Sequence, residues 1–296
     1  MEGGWSPTAK DYNPPTSLLP LGQAPHQSVT PKGDSLAIAR SCSPLLVTDI
    51  FKMFVHYRTQ GIILKKIDRG EADQLFTIYT KDFGKLEILG KAIRKISSKL
   101  RSGADIFYLS EIEFIQGKAY KTLTDAILID SFPNLRKNLE RLSVAYKVSE
   151  TLDSLVKGQE PDEKIWQLLI ETFQWLNSLN LKSTICNLQY YYFLWNFLSI
   201  LGYQPELYNC SLCQKKLVPE KLYFSQREGG TICDNCFKKV KDAKKTEPEV
   251  IKILRILLKK DWDILSRLKI ENSYKKSLKN ISEGFLSYIL STVGQK

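Results

Sequence analysis

The chain has 296 residues, 43% hydrophobic and 25% charged, a globular composition long enough for two domains. Its 43 Lys+Arg against 32 Asp+Glu give a formal net charge of +11, which favours polyanionic partners, either nucleic acid or an anionic membrane face. The longest apolar candidate, Tyr190 to Leu201, is interrupted by Asn196 and Ser199 and falls short of the roughly 18–20 residues a membrane span needs, so no membrane segment is expected.

Residues 1–52 carry seven of the twelve prolines and little periodic hydrophobicity. Such a stretch cannot bury enough apolar surface to offset chain entropy. The expectation is a disordered extension or mis-started leader over 1–53, with Met53 as the natural start. No apolar core follows an early basic cluster, so no secretory leader is read. A reducing, cytoplasmic setting follows, in which paired cysteines point to metal and not to disulfides.

Residues 54–132 read as strands. Glu111-Ile112-Glu113-Phe114 alternates with period two, and Gln74 to Tyr79 and Lys85 to Leu89 behave similarly. Turn-like breaks at Asp68-Arg69-Gly70, Lys81-Asp82-Phe83-Gly84, Arg101-Ser102-Gly103 and Gln116-Gly117-Lys118 separate five strand candidates: 57–67, 73–80, 84–91, 105–116 and 119–130. Five short strands suit a small closed barrel, which leaves no exposed edges. An OB-fold and an SH3-like barrel fit the pattern almost equally.

After Phe132-Pro133 the period changes. Leu135, Leu139, Leu142, Ala145, Leu152 and Leu155 lie on one helical face. Further helices are predicted over about 162–179 and 183–201. Thr246-Glu247-Pro248-Glu249 resembles a capping box ahead of Val250, Ile253, Leu254 and Leu257. A last helix covers about 272–292. Residues 133–296 are therefore a helical domain with an inserted cysteine module at about 208–240. The fold class is α+β multidomain: a five-stranded barrel, then helices.

Cys210-Ser-Leu-Cys213 and Cys233-Asp-Asn-Cys236 are 19 residues apart, the spacing of a zinc ribbon or knuckle. Lys221 to Ser225 and Gly229 to Ile232 suit a hairpin that unites the pairs. Four thiolates fill a tetrahedral ion and leave no open position for substrate, so one structural Zn2+ is expected. Of the other cysteines, Cys186 reads as a small core residue and Cys42 as incidental. His26 falls in the extension, and His56 reads as an ordinary edge-strand residue.

Lys85, Lys91, Arg94, Lys95, Lys99 and Arg101 crowd 17 residues that hold one acid, Glu87. Long basic loops on a small barrel can follow a phosphate backbone; a solvated loop fits as well. Tyr79, Phe83, Phe107 and Tyr108 could stack on bases, but strand aromatics are more often core. From Tyr208 to Lys245 nine basic residues face four acidic ones, read as a charged linker or a second nucleic-acid contact. No Gly-rich phosphate loop, nucleophile elbow or usable His pair is present, so catalytic residues are none and no enzyme is expected.

These segments together resemble the RecO family. Tyr57 to Leu75 is similar to its opening strand and turn. Phe83-Gly84-Lys85 with Gly90-Lys91-Ala92-Ile93-Arg94-Lys95 is similar to its basic strand and loop, and Asp130 to Arg136 to its domain junction. Gly202-Tyr203-Gln204-Pro205-Glu206-Leu207, Cys210-x-x-Cys213, Phe224-Ser225 and Gly229-Gly230 ahead of Cys233 match its zinc region. The resemblance covers about 54–296. It implies an N-terminal OB-fold, binding of single- and double-stranded DNA, strand annealing, and partnership with RecR and the acidic C-terminal tail of single-strand-binding protein so that RecA can load. It would place the DNA contacts on Lys91, Arg94, Lys95, Lys99 and Arg101. Two departures stand out: Gln214 replaces the glycine frequent after the second cysteine, and residues 1–52 have no counterpart. The competing class is a zinc-ribbon RNA-binding or translation-associated protein.

Overall fold

The computed structural model describes residues 55–117, 119–178, 183–260 and 269–293, with Ile264 and Arg267, and side chains throughout except at 183–187. The N-terminal extension, His26, Cys42 and the Cys186 side chain lie outside the described residues. Five strands form the barrel: β1 (His56–Arg69), β2 (Asp73–Thr80), β3 (Gly84–Gly90), β4 (Leu109–Ile115) and β5 (Lys121–Asp130). It closes in the order β1-β2-β3-β5-β4, with a short parallel β3–β5 pairing at Ile88↔Lys121 and Leu89↔Thr122. This Greek-key closure is that of the OB-fold and decides between the two barrels the sequence allowed. Alternating residues such as Ile63, Phe76, Ile78, Leu86, Ile88, Ile112 and Phe114 fill the interior.

β4 starts at Leu109, not at 105. The Tyr108 amide donates to the Asp105 carbonyl oxygen (3.1 Å), and Phe107 takes a left-handed backbone with φ 61°. The turn throws the Phe107 ring off the barrel and onto Phe173 (ring centroids 5.7 Å apart).

The helical part comprises α1 (Pro133–Arg136), α2 (Leu139–Leu155), α3 (Glu163–Asn177), α4 (Ser183–Ile200), α5 (Asp234–Phe237), α6 (Pro248–Leu258) and α7 (Asn272–Val293). The first predicted helix is split at Asn138. Its extended backbone ends α1, and its side chain accepts from the Glu140 and Arg141 amides to cap α2. Leu139, placed on the buried face by periodicity, is 82% exposed as a result. Asp162 caps α3 in the same way. The capping box expected before α6 does not form: Thr246 lies in a strand, its hydroxyl donates to the Lys244 carbonyl oxygen, and α6 starts with Pro248 in its first turn without a side-chain cap. α4 is the hub. Tyr192, Phe193, Leu194, Trp195, Phe197 and Leu198 are all buried, so apolar surface surrounds it, as for a helix enclosed on every side.

Barrel and helices share one core. Ile62, Leu64, Tyr79, Phe107 and Phe132 belong to the same apolar cluster as α2, α3 and α4. The left-handed Phe132 (φ 47°) also packs on Phe173, at 5.6 Å. Polar contacts frame the joint. Arg136 binds Asp105 (2.6 Å) and the Ile106 carbonyl oxygen (2.5 Å), and Lys66 pairs with the other Asp105 oxygen. Gly84 (φ 62°) brings its backbone so close to residue 160 that a Cβ would lie 2.4 Å from the Glu160 carbonyl oxygen.

Phe173 is fully buried and touches both left-handed phenylalanines, so Phe173→Ala should cost about 3–5 kcal/mol in urea unfolding. Burial alone would raise the Asp105 carboxyl, but Lys66, the Ile106 amide and Arg136 outweigh it and hold it below its ordinary value. A depressed carboxylate contributes stability above its unfolded value, near 3.9, and loses it as pH falls through the folded value. Asp105→Asn should therefore lower stability by about 1–2 kcal/mol at pH 7, and the gap to the natural protein should close towards pH 3. A gap constant with pH would show that Asp105 acts only through packing.

Candidate metal centre and nucleic-acid interface

The two C-x-x-C pairs meet across a small sheet. β6 (Leu222–Ser225) pairs antiparallel with β7 (Gly230–Cys233), with Leu222 opposite Cys233, which is the predicted hairpin. A third strand, β8 (Lys244–Thr246), pairs with the other edge of β6. The Lys244-Lys245 segment read as a linker is thus an edge strand, whose lysines keep that edge soluble. The chain before Cys210 is laid along β7. The Thr231 amide donates to the Glu206 carbonyl oxygen (2.8 Å), and the Ser211 amide donates to that of Thr231 (3.0 Å). Gly230 permits this approach, since a Cβ there would lie 2.4 Å from the Glu206 carbonyl oxygen.

The first knuckle closes through the Gln214 amide to the Cys210 carbonyl oxygen (2.9 Å), with Gln214 at φ 56°. Glutamine thus adopts the left-handed conformation that glycine would take at lower cost. Cys233 ends β7, and Cys236 lies on the single turn of α5. All four sulfurs fall within 4.8 Å of one another, and Cys213 and Cys233 are 3.8 Å apart. Four thiolates about 2.3 Å from one tetrahedral ion would be spaced about 3.8 Å. A disulfide requires about 2.05 Å.

The electrostatics agree with a cation among the sulfurs. Burial opposes ionisation of Cys210, yet the amides of Cys213, Cys233 and Leu212 bring its thiol down to about 6. Burial and the three neighbouring sulfurs push Cys236 up to about 12. Four such groups cannot all ionise unless positive charge sits among them. The four cysteines could hold one metal ion, and a full set of sulfur ligands would leave it no exchangeable position. The module is clamped to the helices: Phe224 contacts Phe285 (5.9 Å), and Arg255 donates to the Leu207 carbonyl oxygen (3.0 Å) while lying over the Tyr208 ring.

The six cations singled out by sequence separate into two groups. Lys85 is half-buried and donates to the Asp153 carboxylate (3.0 Å) and carbonyl oxygen (2.7 Å) on α2. Its charge is committed to the joint. Lys91, Arg94, Lys95, Lys99 and Arg101 are exposed on the β3–β4 connection, in a stretch without an acidic residue. Arg94 sits 3.5 Å from Asp68; among the described residues the other four have no acidic partner within 4 Å. Arg94 and Arg101 also line a polar recess of about 270 Å³ with Lys66 and Asp105, and there the Lys66 charge is already matched by the Asp105 carboxylate.

The four aromatics weighed as stacking platforms are engaged internally. Tyr79 and Phe107 are fully buried. Phe83 packs on Tyr57 and Phe114, and Tyr108 lies under Arg136. His56 pairs with Glu113 across β1 and β4 (2.6 Å). Among the described residues, no helix is long and apolar enough to cross a membrane.

Fold and site together define an OB-barrel protein whose helical domain carries a four-cysteine insertion that could hold a metal ion. A family model described as "Recombination protein O N terminal" matches residues 53–132, and one described as "Recombination protein O C terminal" matches residues 136–293. The chain is 31% identical over 234 residues to the DNA repair protein RecO of Dehalococcoides mccartyi, covering 79% of this chain and 90% of that protein. It is 30% identical over 230 residues to that of Thermoanaerobacter sp. (77% and 90%), and 29% identical over 234 residues to that of Roseiflexus sp. (79% and 81%). The chain belongs to the RecO family of DNA repair proteins.

The metal site makes a direct prediction. Purified protein should contain one ion per chain by elemental analysis. Stripping it with a strong chelator, or introducing Cys236→Ser, should lower Tm by several degrees, because the small sheet has little core of its own. Unchanged melting of verified metal-free protein would show that the four cysteines are not a staple.

Proposed function

We propose that this chain is a recombination mediator that binds single- and double-stranded DNA, anneals complementary strands, and acts with RecR to load RecA onto DNA coated by single-strand-binding protein. The observation that carries the reading is the acid-free loop Lys91–Arg101, with five exposed cations, projecting from a closed OB barrel. Such a loop neutralises phosphates on two strands at once and lowers the repulsion that opposes pairing.

In this reading the helical domain supplies the protein contacts, including that with the acidic C-terminal tail of single-strand-binding protein. The ion held by Cys210, Cys213, Cys233 and Cys236 is one structural Zn2+, the metal best matched to four thiolates in a closed tetrahedral site. No bond chemistry is assigned to the protein, and its place of action is the bacterial cytoplasm. Partner names rest on kinship with the family; the DNA contact rests on the loop.

The test is annealing of complementary oligonucleotides, with and without single-strand-binding protein, alongside salt titration of binding. The natural protein should accelerate annealing, and its affinity should fall linearly on logarithmic axes as salt rises. Replacing Arg94, Lys95 and Lys99 together by Ala should weaken binding to all sequences alike and flatten the single-strand salt slope by about 2, at about 0.7 per lost phosphate contact. An unchanged slope would remove the loop from the interface. Preference for structured RNA over single-stranded DNA would favour a translation-associated role instead.

A further inference from the structure

Ile96 stands at the tip of the cationic loop with 95% of its surface exposed, the highest value among the large hydrophobic residues described; the next, Leu139, is at 82%. Scattered apolar side chains on a surface are ordinary. The setting of Ile96 is not. The loop is held at several points. The Ala92 amide donates to the Asp73 carboxylate (2.7 Å), the Arg94 amide to the Ala72 carbonyl oxygen (3.0 Å), and the Arg94 guanidinium to the Gly70 carbonyl oxygen (3.3 Å). Ile93 is buried in the barrel core and Leu100 packs against it, so both roots of the tip are anchored by apolar contacts.

Between these roots, the Ser98 amide donates to the Lys95 carbonyl oxygen (3.0 Å), closing a four-residue turn in which Ile96 is the second residue. That corner projects outward. A polar residue would serve solubility there; an isoleucine leaves its whole apolar surface in water. It is flanked by Arg94, Lys95 and Lys99, all exposed.

We propose that Ile96 is a base-contacting wedge: its side chain inserts between neighbouring bases of the bound strand while the surrounding cations hold the phosphates. This rests on the reading of the loop as the DNA contact and goes beyond it, since phosphate contacts alone predict no apolar group at the tip. Apolar side chains on minor-groove binders part base steps in this way. Partial unstacking would present bases to a complementary strand, which is what annealing requires. The wedge has no hydrogen-bonding group, so it is indifferent to sequence, and it adds a contact insensitive to salt to a grip that is otherwise electrostatic.

The test uses the full chain, a single-stranded oligonucleotide containing 2-aminopurine, whose fluorescence rises on unstacking, and salt titration of binding. The natural protein should raise the fluorescence at saturation. Ile96→Ser should keep the natural Tm, bind about five- to tenfold more weakly, keep the salt slope, and lose the fluorescence rise even at saturation. Ile96→Leu should restore affinity and fluorescence. Lys99→Ala should do the reverse of Ile96→Ser, flattening the slope by about 0.7 while retaining the fluorescence rise. If Ile96→Ser matches the natural protein in affinity and fluorescence, the wedge assignment is overturned while the loop reading stands. If the natural protein binds no oligonucleotide at low salt, the loop reading itself fails.

Discussion

The structure depends on one apolar joint, where Phe107 and Phe132 leave the barrel and close on Phe173 of α3. Both hold left-handed backbones, each at a cost of about 1–2 kcal/mol for a residue with a side chain. Full burial of a phenylalanine returns about 1.5–3 kcal/mol, so the strained turns persist because the shared core over-determines them. The consequence is mechanical. The β3–β4 connection contains both the exposed cationic tip and Phe107, and it is fixed to the helices at one end and to the barrel at the other. A tip held this way presents its charges in a fixed arrangement, which limits the ordering entropy lost on binding.

Charge is divided between building and presenting. Lys66 and Arg136 are spent on Asp105, Lys85 on Asp153, and Arg255 on the Leu207 carbonyl oxygen. These pairs surround the joint and the four-cysteine module, where removing a partner would leave a charge without its counterpart. The cations of the loop are exposed and mostly unpaired, so they remain available to an anion. A net charge of +11 would not by itself separate these roles. Geometry does, by supplying acids and carbonyl oxygens to the first set and, within the loop, to Arg94 alone among the described residues.

Much of this was legible in the sequence for stated reasons. Period-two alternation in three segments, with turn-like breaks between candidates, marked the five strands, and the C-x-x-C pairs marked the four-cysteine cluster, because these signals are local. Long-range facts were not legible. Lys85 looked like its neighbours Lys91 and Arg94, since its partner Asp153 lies 68 residues away. Leu139 satisfied the helical period and still stayed in water, because Asn138 spends its side chain restarting the helix there. Thr246 looked like a cap and became a strand residue, because β6 offered an unpaired edge. In each case a tertiary partner overrode a local preference.

The same distinction explains the short motifs. Phe83-Gly84-Lys85 lies beside the basic loop in sequence, yet Phe83 fills a space between Tyr57 and Phe114, Gly84 lets residue 160 approach, and Lys85 binds α2. It is a hinge plate, not a contact surface. Gln214 shows the converse. Its backbone reaches φ 56° without the freedom of glycine, because amide hydrogen bonds to Cys210 and the neighbouring sulfurs dictate the turn whatever the side chain. What this fold demands at such points is a backbone conformation. Glycine is the easiest way to supply it, and a strained glutamine supplies it where the surrounding contacts are strong enough.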